Sequence, residues 1–154
     1  MSSRRVLALR EEAGFTLIEL MMVVLIIGIL IAIGLPTFLG AKHRAANRAA
    51  QTELRLGITA GLVHFDVNLT FNGFDAPAAR VIEPGLVWMD AVDPVNTRAI
   101  AIAYASGGEL VIVRHSTSGR YFCASERPNT PGFARGNGPT YASVDTVAEC
   151  TGDW

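Results

Sequence analysis

One acidic side chain stands where a charge is expensive. Glu19 lies four residues after Phe15 and directly ahead of Leu20–Leu35, a stretch in which every residue is apolar. An ionised carboxylate in a membrane helix costs on the order of 2.5–3.5 kcal/mol at its centre, less near the interface. Such a group needs a partner, and no Lys, Arg or His occurs between Arg10 and Lys42. Cutting the chain after Gly14 would free an α-amine on Phe15, with a pKa of about 8. The chemistry on offer is proteolysis at Gly14–Phe15, followed by ion pairing between Glu19 and the new N-terminus.

Other reactive residues form no recognisable centre. His43, His64 and His115 are scattered, without H-E-x-x-H or His/Cys ligand spacing. Ser116 and Ser118 flank His115 closely, yet no G-x-S-x-G elbow is present. Gly132, Gly136 and Gly138 follow no strand that feeds a helix, so they do not read as a phosphate cradle. Cys123 and Cys150 are too few for a thiolate zinc site. The Asn68-Leu69-Thr70 sequon is a weak match, and Phe65, Phe71 and Phe74 read as core. A formal net charge of −1 gives no support to direct nucleic-acid binding. No catalytic residue, metal or cofactor is expected.

The element that positions Glu19 is the apolar run. Phe15 to Leu35 is about 21 residues, roughly 32 Å as a helix, which matches a hydrocarbon core of about 30 Å. Apolar all round, it needs lipid or other apolar helices around it. A cleaved secretory signal would have a shorter core and a small-residue cleavage site, whereas Pro36-Thr37-Phe38-Leu39 follows here. An uncleaved signal anchor fits the hydropathy but leaves Glu19 unpaired. Arg4, Arg5 and Arg10 before the run nearly balance Lys42, Arg44 and Arg48 after it, so flanking charge does not fix the orientation.

Gly14-Phe15-Thr16-Leu17-Ile18-Glu19, opening an apolar helix, resembles the class III signal sequence of type IV pilins and type II secretion pseudopilins. The likeness is close from Gly14 to Gly40. It implies cleavage between Gly14 and Phe15 by a prepilin peptidase, and N-methylation of Phe15. It further implies pairing of Glu19 with the amine of a neighbouring subunit and a helix kink at Gly28 and Pro36. The chain differs in placing Glu11, Glu12 and Ala13 between Arg10 and the cleavage glycine, where relatives carry a base. The implied partners are further copies in a helical filament, the peptidase, the assembly platform with its ATPase, and the membrane before assembly. The implied location is the cytoplasmic membrane, N-terminus inside, then the pilus on the cell surface.

The expected layout is a leader over 1–14, a transmembrane or filament-core helix over 15–36, an amphipathic half over 37–69, and an extracytoplasmic β domain over 70–154. One helix from Phe15 to about Val67 is predicted, with Leu54, Ile58, Leu62, Phe65 and Leu69 on its packing face. Lys42, His43, Arg44, Asn47, Arg48, Gln51 and Arg55 fall on the wet or subunit-facing side. Thr70–Arg98 reads as turn-rich, with a short strand over Leu86–Met89. Ala99–Ala105, with Ile100, Ile102 and Tyr104 alternating with alanines, pairs through Ser106–Glu109 with Leu110–His115, and Arg120–Ser125 makes a third strand. An α+β pilin-like fold follows, a long helix covering a three-stranded antiparallel meander. Glu126–Trp154 reads as a loop. On the orientation the resemblance implies, Cys123 and Cys150 lie in an oxidising compartment, where a disulfide would close a loop of about 28 residues for roughly 3 kcal/mol. Two free buried thiols are the alternative.

Within the class, the C-terminal loop offers only Asp145, Glu149 and Asp153 as carboxylates, whereas calcium takes about six to eight oxygens. That favours a pilin over the major pseudopilin, with a minor pilin also open. An uncleaved single-span membrane protein with a small binding domain is the reading from another class. A tethered enzyme has no candidate residues.

Overall fold

The computed structural model describes residues 14–95, 97–127 and 132–154. Residues 1–13 of the leader, with Arg4, Arg5, Arg10, Glu11 and Glu12, lie outside the described residues, as do Pro128 and Pro131. Contacts divide the chain into one unit up to Leu39 and another over Gly40–Trp154.

In the first unit, helix α1 (Leu17–Asn68) begins just after Thr16 and carries Pro36 within it. Every residue from Gly14 to Leu39 is exposed. Pro36 brings no N–H to the helical ladder, and one residue on the Thr37 hydroxyl donates to the Gly34 carbonyl at 2.8 Å. Nothing lies within 4 Å of a side chain built on Gly28 or Gly34.

In the second unit, the rest of α1 packs on a five-stranded sheet in the order β1 (Val87–Asp90), β2 (Ala99–Ser106), β3 (Glu109–His115), β4 (Tyr121–Glu126), β5 (Ala134–Gly138). The pairs β2–β3, β3–β4 and β4–β5 are antiparallel. Strand alternation gives the sheet two apolar faces. Ile100, Ile102, Leu110, Ile112, Phe122 and Ala124 meet Ala50, Leu54 and Ile58 of α1 on one face. Val111, Val113, Tyr121 and Cys123 meet Val144 and Cys150 on the other.

Several expectations are corrected here. The packing face of α1 runs through Ala50, Leu54, Gly57, Ile58 and Gly61, while Leu62 is 36% and Leu69 78% exposed. The glycines explain the shift. A Cβ on Gly61 would stand 2.3 Å from Leu110 Cδ2, and one on Gly57 2.8 Å from Ile112 Cδ1. They let the helix backbone sit against the sheet where larger residues would hold it off. Leu69 lies past the helix end with φ of 55°. Asn47 and Gln51, expected on the wet side, are half-buried. Asn47 Oδ1 accepts from Ser116 Oγ at 2.8 Å and Ser118 Oγ at 2.5 Å.

The meander has one strand more than expected, β5, and the short strand expected over Leu86–Met89 is β1, which joins β2 in parallel. Helix α2 (Ala76–Ile82) precedes it, with Asp75 as N-cap accepting from Ala78 N and Pro77 in its first turn. A register shift between Ile102 and Tyr104 turns Tyr104 away from the isoleucine face to pair with Val111. In the segment expected as a loop, Ala134–Gly138 is a strand and Tyr141–Ser143 one turn of 3-10 helix.

Cys123 and Cys150 are disulfide-bonded. From Cys150, on the face away from α1, the chain passes beside Gly136 of β5, whose added Cβ would stand 2.9 Å from Thr151 N and O. It ends with Trp154 against the helix-side core. The Trp154 indole N–H donates to Cys123 O at 3.1 Å and Gly136 O at 3.0 Å, while the Arg55 and Arg135 guanidiniums lie over its ring. Residues 150–154 therefore form a strap around the outer edge of β5. Covered edges are how sheets avoid pairing with strangers.

Candidate functional site

The first helical turn holds the sequence-predicted processing and assembly residues. Gly14, Phe15 and Thr16 precede the helix, and Phe15 is 82% exposed. A helix start leaves N–H groups without intrahelical acceptors. Here Thr16 and Glu19 satisfy two of them reciprocally. Glu19 N–H donates to Thr16 Oγ1 at 3.2 Å, while Thr16 N–H and Thr16 Oγ1 donate to Glu19 Oε2 at 3.0 and 2.8 Å. This is a capping box, with the acid in the first turn where the helix dipole favours it.

The capping box was missed in the sequence although T-x-x-E ahead of an apolar run is its signature. It changes the reading of Glu19. The carboxylate has a role within its own chain through Oε2, and Oε1 makes no hydrogen bond among the described residues. A carboxylate has about four lone-pair positions, so a cap and an external amine can be served together. Gly14 and Phe15 lie just before the helix whose first turn carries Glu19. Gly28 and Pro36 lie farther along the same helix, and Cys123 and Cys150 belong to the other unit.

The head contains titratable groups perturbed by burial, none of them placed against a nucleophile. Burial, helped by the Asp93 carboxylate that accepts from its hydroxyl at 2.9 Å, pushes Tyr121 up to about 12. Burial lowers His115, which stacks on Tyr121 with ring centres 4.5 Å apart. Burial, then the Glu149 charge, raises Asp145. Arg114 is buried, and its Nε donates to Glu53 at 2.5 Å. These groups tie helix to sheet and sheet to loop.

An exposed apolar helix with an acid and a cap at its start, joined to a disulfide-closed α+β head, fits a class: pilin-like α+β proteins with an N-terminal helix suited to membrane anchoring. Residues 9–35 match the family model described as the prokaryotic N-terminal methylation motif. The chain is 44% identical over 64 residues to the type IV major pilin protein PilA of Myxococcus xanthus, covering 42% of this chain and 29% of that one. It is 44% identical over 46 residues to the type II secretion system core protein G of Vibrio cholerae, covering 30% and 32%. It is 27% identical over 117 residues to the type IV wide pilus major component PilA4 of Thermus thermophilus, covering 76% and 84%. Its matches thus span under a third of the first two relatives. No solved structure matches. Its motif, its relatives and its fold together support a likeness to the type IV pilin and type II secretion pseudopilin family.

Proposed function

We propose that the chain is a structural subunit of a type IV pilus filament, with no catalytic activity of its own. Prepilin peptidase cuts between Gly14 and Phe15 and methylates the Phe15 amine, and the product waits in the membrane with its head outside the cytoplasm. The assembly platform and its ATPase then move α1 from lipid into a bundle of like helices. Lipid tails are as apolar as the leucines they would release, so packing and polar pairing select the register. Pairing of Glu19 with the Phe15 amine of a neighbour is head-to-tail, and a head-to-tail contact that does not close makes a helical filament. Gly28 and Pro36 supply the places where α1 bends or extends to fit.

The observation that carries this reading is the acid at the start of an exposed apolar helix, within a matched methylation motif. The capping box dictates how to test it. Glu19→Ala would remove both cap and charge, whereas Glu19→Gln keeps a competent capping residue and removes only the charge. Glu19→Gln is expected to be cleaved normally and to yield no filaments by electron microscopy of sheared cells. Normal filaments from that variant would sink the pairing mechanism. A pseudopilin or minor pilin is the second reading, favoured by the match to the Vibrio core protein.

A further inference from the structure

The charges of the head are sorted along its length. At the end where β3 turns into β4, the Ser116 and Ser118 hydroxyls fasten the turn to Asn47 of α1. Arg48 is the next helical residue, with Arg44 one turn earlier and Lys42 just before it. Strand register brings the start of β2 to the same level, since Ile100 pairs with Arg114, and Ser116 N–H donates to Arg120 O at 2.8 Å. Lys42, Arg44, Arg48, Arg98 and Arg120 are all exposed, and none makes an ion pair among the described residues. Acids share this end too: Asp153, whose main chain accepts from Asn137 beside Arg120, pairs with Arg135. Glu53 is held by Arg114, while Asp93 accepts from Tyr121 and from Val95 N–H. Asp66, Glu109, Glu126 and Asp145 gather instead toward the end of α1 and the β2–β3 turn; Glu109 and Asp145 line one pocket there, and Glu126 pairs with Leu110.

The basic end carries a pocket of about 390 Å³ lined by Thr97, Arg98, His115, Thr117 and Gly119. We propose that this pocket binds the phosphodiester headgroup of an anionic phospholipid, with Lys42, Arg44, Arg48 and Arg120 resting on the surrounding bilayer surface. Arg98 and Thr117 have the donors to do so, and neither side chain makes a hydrogen bond among the described residues. A guanidinium is the side chain best matched to two phosphate oxygens at once. The Thr97 hydroxyl is already committed to Pro94 O, so it shapes the wall. Lipid is the phosphate source that position favours. Leu35, where the apolar run stops, and Asn47 are about twelve residues apart along the chain, roughly 18 Å of helix. Basic residues just outside a membrane span meet the negative surface potential of anionic headgroups. The inference needs the apolar run to span a bilayer, and holds equally for a pilin, a pseudopilin or an uncleaved anchor.

The test uses the full chain reconstituted in phosphatidylcholine vesicles. They are doped with either phosphatidylglycerol or phosphatidylcholine bearing a photoreactive headgroup, and cross-linked peptides are read by mass spectrometry. The peptides holding Arg98 and Thr117–Arg120 should be labelled roughly fivefold or more by the anionic probe, an excess that shrinks at about 0.5 M salt. R98Q with R120Q should bring labelling down to the zwitterionic level. R98K with R120K should retain most of it. Equal labelling by both probes would overturn the proposal. So would an unchanged excess in R98Q/R120Q.

Discussion

The stretch up to Leu39 and the head from Gly40 onward use the same residue types for opposite purposes, and glycine shows it best. Gly28 and Gly34 have empty space where a side chain would go. Gly57 and Gly61 have Ile112, Ile100, Trp88 and Leu110 pressed against the place. The head finds its apolar partners inside its own sequence. The run displays Leu, Ile, Val and Met with nothing among the described residues to cover them. One region is finished by folding, and the other keeps its apolar side chains exposed among the described residues. Substitutions should therefore register as stability in the head and as assembly in the run.

The largest expected effect in the head is loss of the strap. Replacing Cys123 and Cys150 together by Ser should lower unfolding stability by about 3 kcal/mol, read by urea titration of the full chain in detergent. Trp154 emission should shift to longer wavelength as residues 150–154 leave the β5 edge. A loss under about 1 kcal/mol would mean the strap holds without its covalent anchor. Gly61→Ala comes next, at about 1–3 kcal/mol for forcing a methyl against Leu110. Gly28→Ala, the matched change in the run, should leave the head's unfolding midpoint unmoved; equal effects at the two sites would erase the contrast.

The smallest effect concerns pH. Tyr121 is held up to about 12 by burial and by Asp93. Its raised folded-state value means the unfolded chain loses this proton first. The contribution is whole below about pH 10 and drains away as the pH climbs towards 12. Ultraviolet titration should show Tyr121 ionising only as the pH nears 12, and Asp93→Asn should lower that value. Ionisation of Tyr121 in the ordinary phenol range, near about pH 10, would refute the burial of that hydroxyl. His115 acts at the other end of the scale. Burial depresses it, so acidification through the usual histidine range protonates the unfolded chain first and stability falls.

Long-range features were legible in the sequence wherever one physical period ran unbroken. The apolar run, the helix down to Asn68 and the three strands between Ala99 and Glu126 have such periods. The packing face of α1 was misjudged because bulk was taken as the sign of contact, whereas the closest approach is made by glycines. Strand β5 reads Ala-Arg-Gly-Asn-Gly, with no β-branched residue, and exists because it pairs with β4 and is held under residues 150–154. Parallel pairing of β1 leaves no local trace. Helix α2 did leave one, Asp75 and Pro77 at cap and first turn, within a segment dominated by turn residues. At the candidate site, charge and hydropathy single out Glu19 in the sequence, and Thr16 three residues ahead of it completes the T-x-x-E signature of the cap that the structure shows.

The central claim is that the run is completed outside its own chain after a cut that exposes Phe15. The mass of the N-terminal peptide, taken from sheared cell-surface material, tests it most directly. A start at Phe15 carrying one extra methyl, abundant in that fraction, is the result the account requires. The same start confined to the envelope would keep the processing and move the chain to a minor pilin or a pseudopilin. A start at Met1 or Ser2 would contradict the account, leaving an ordinary membrane anchor whose Glu19 serves only as a helix cap.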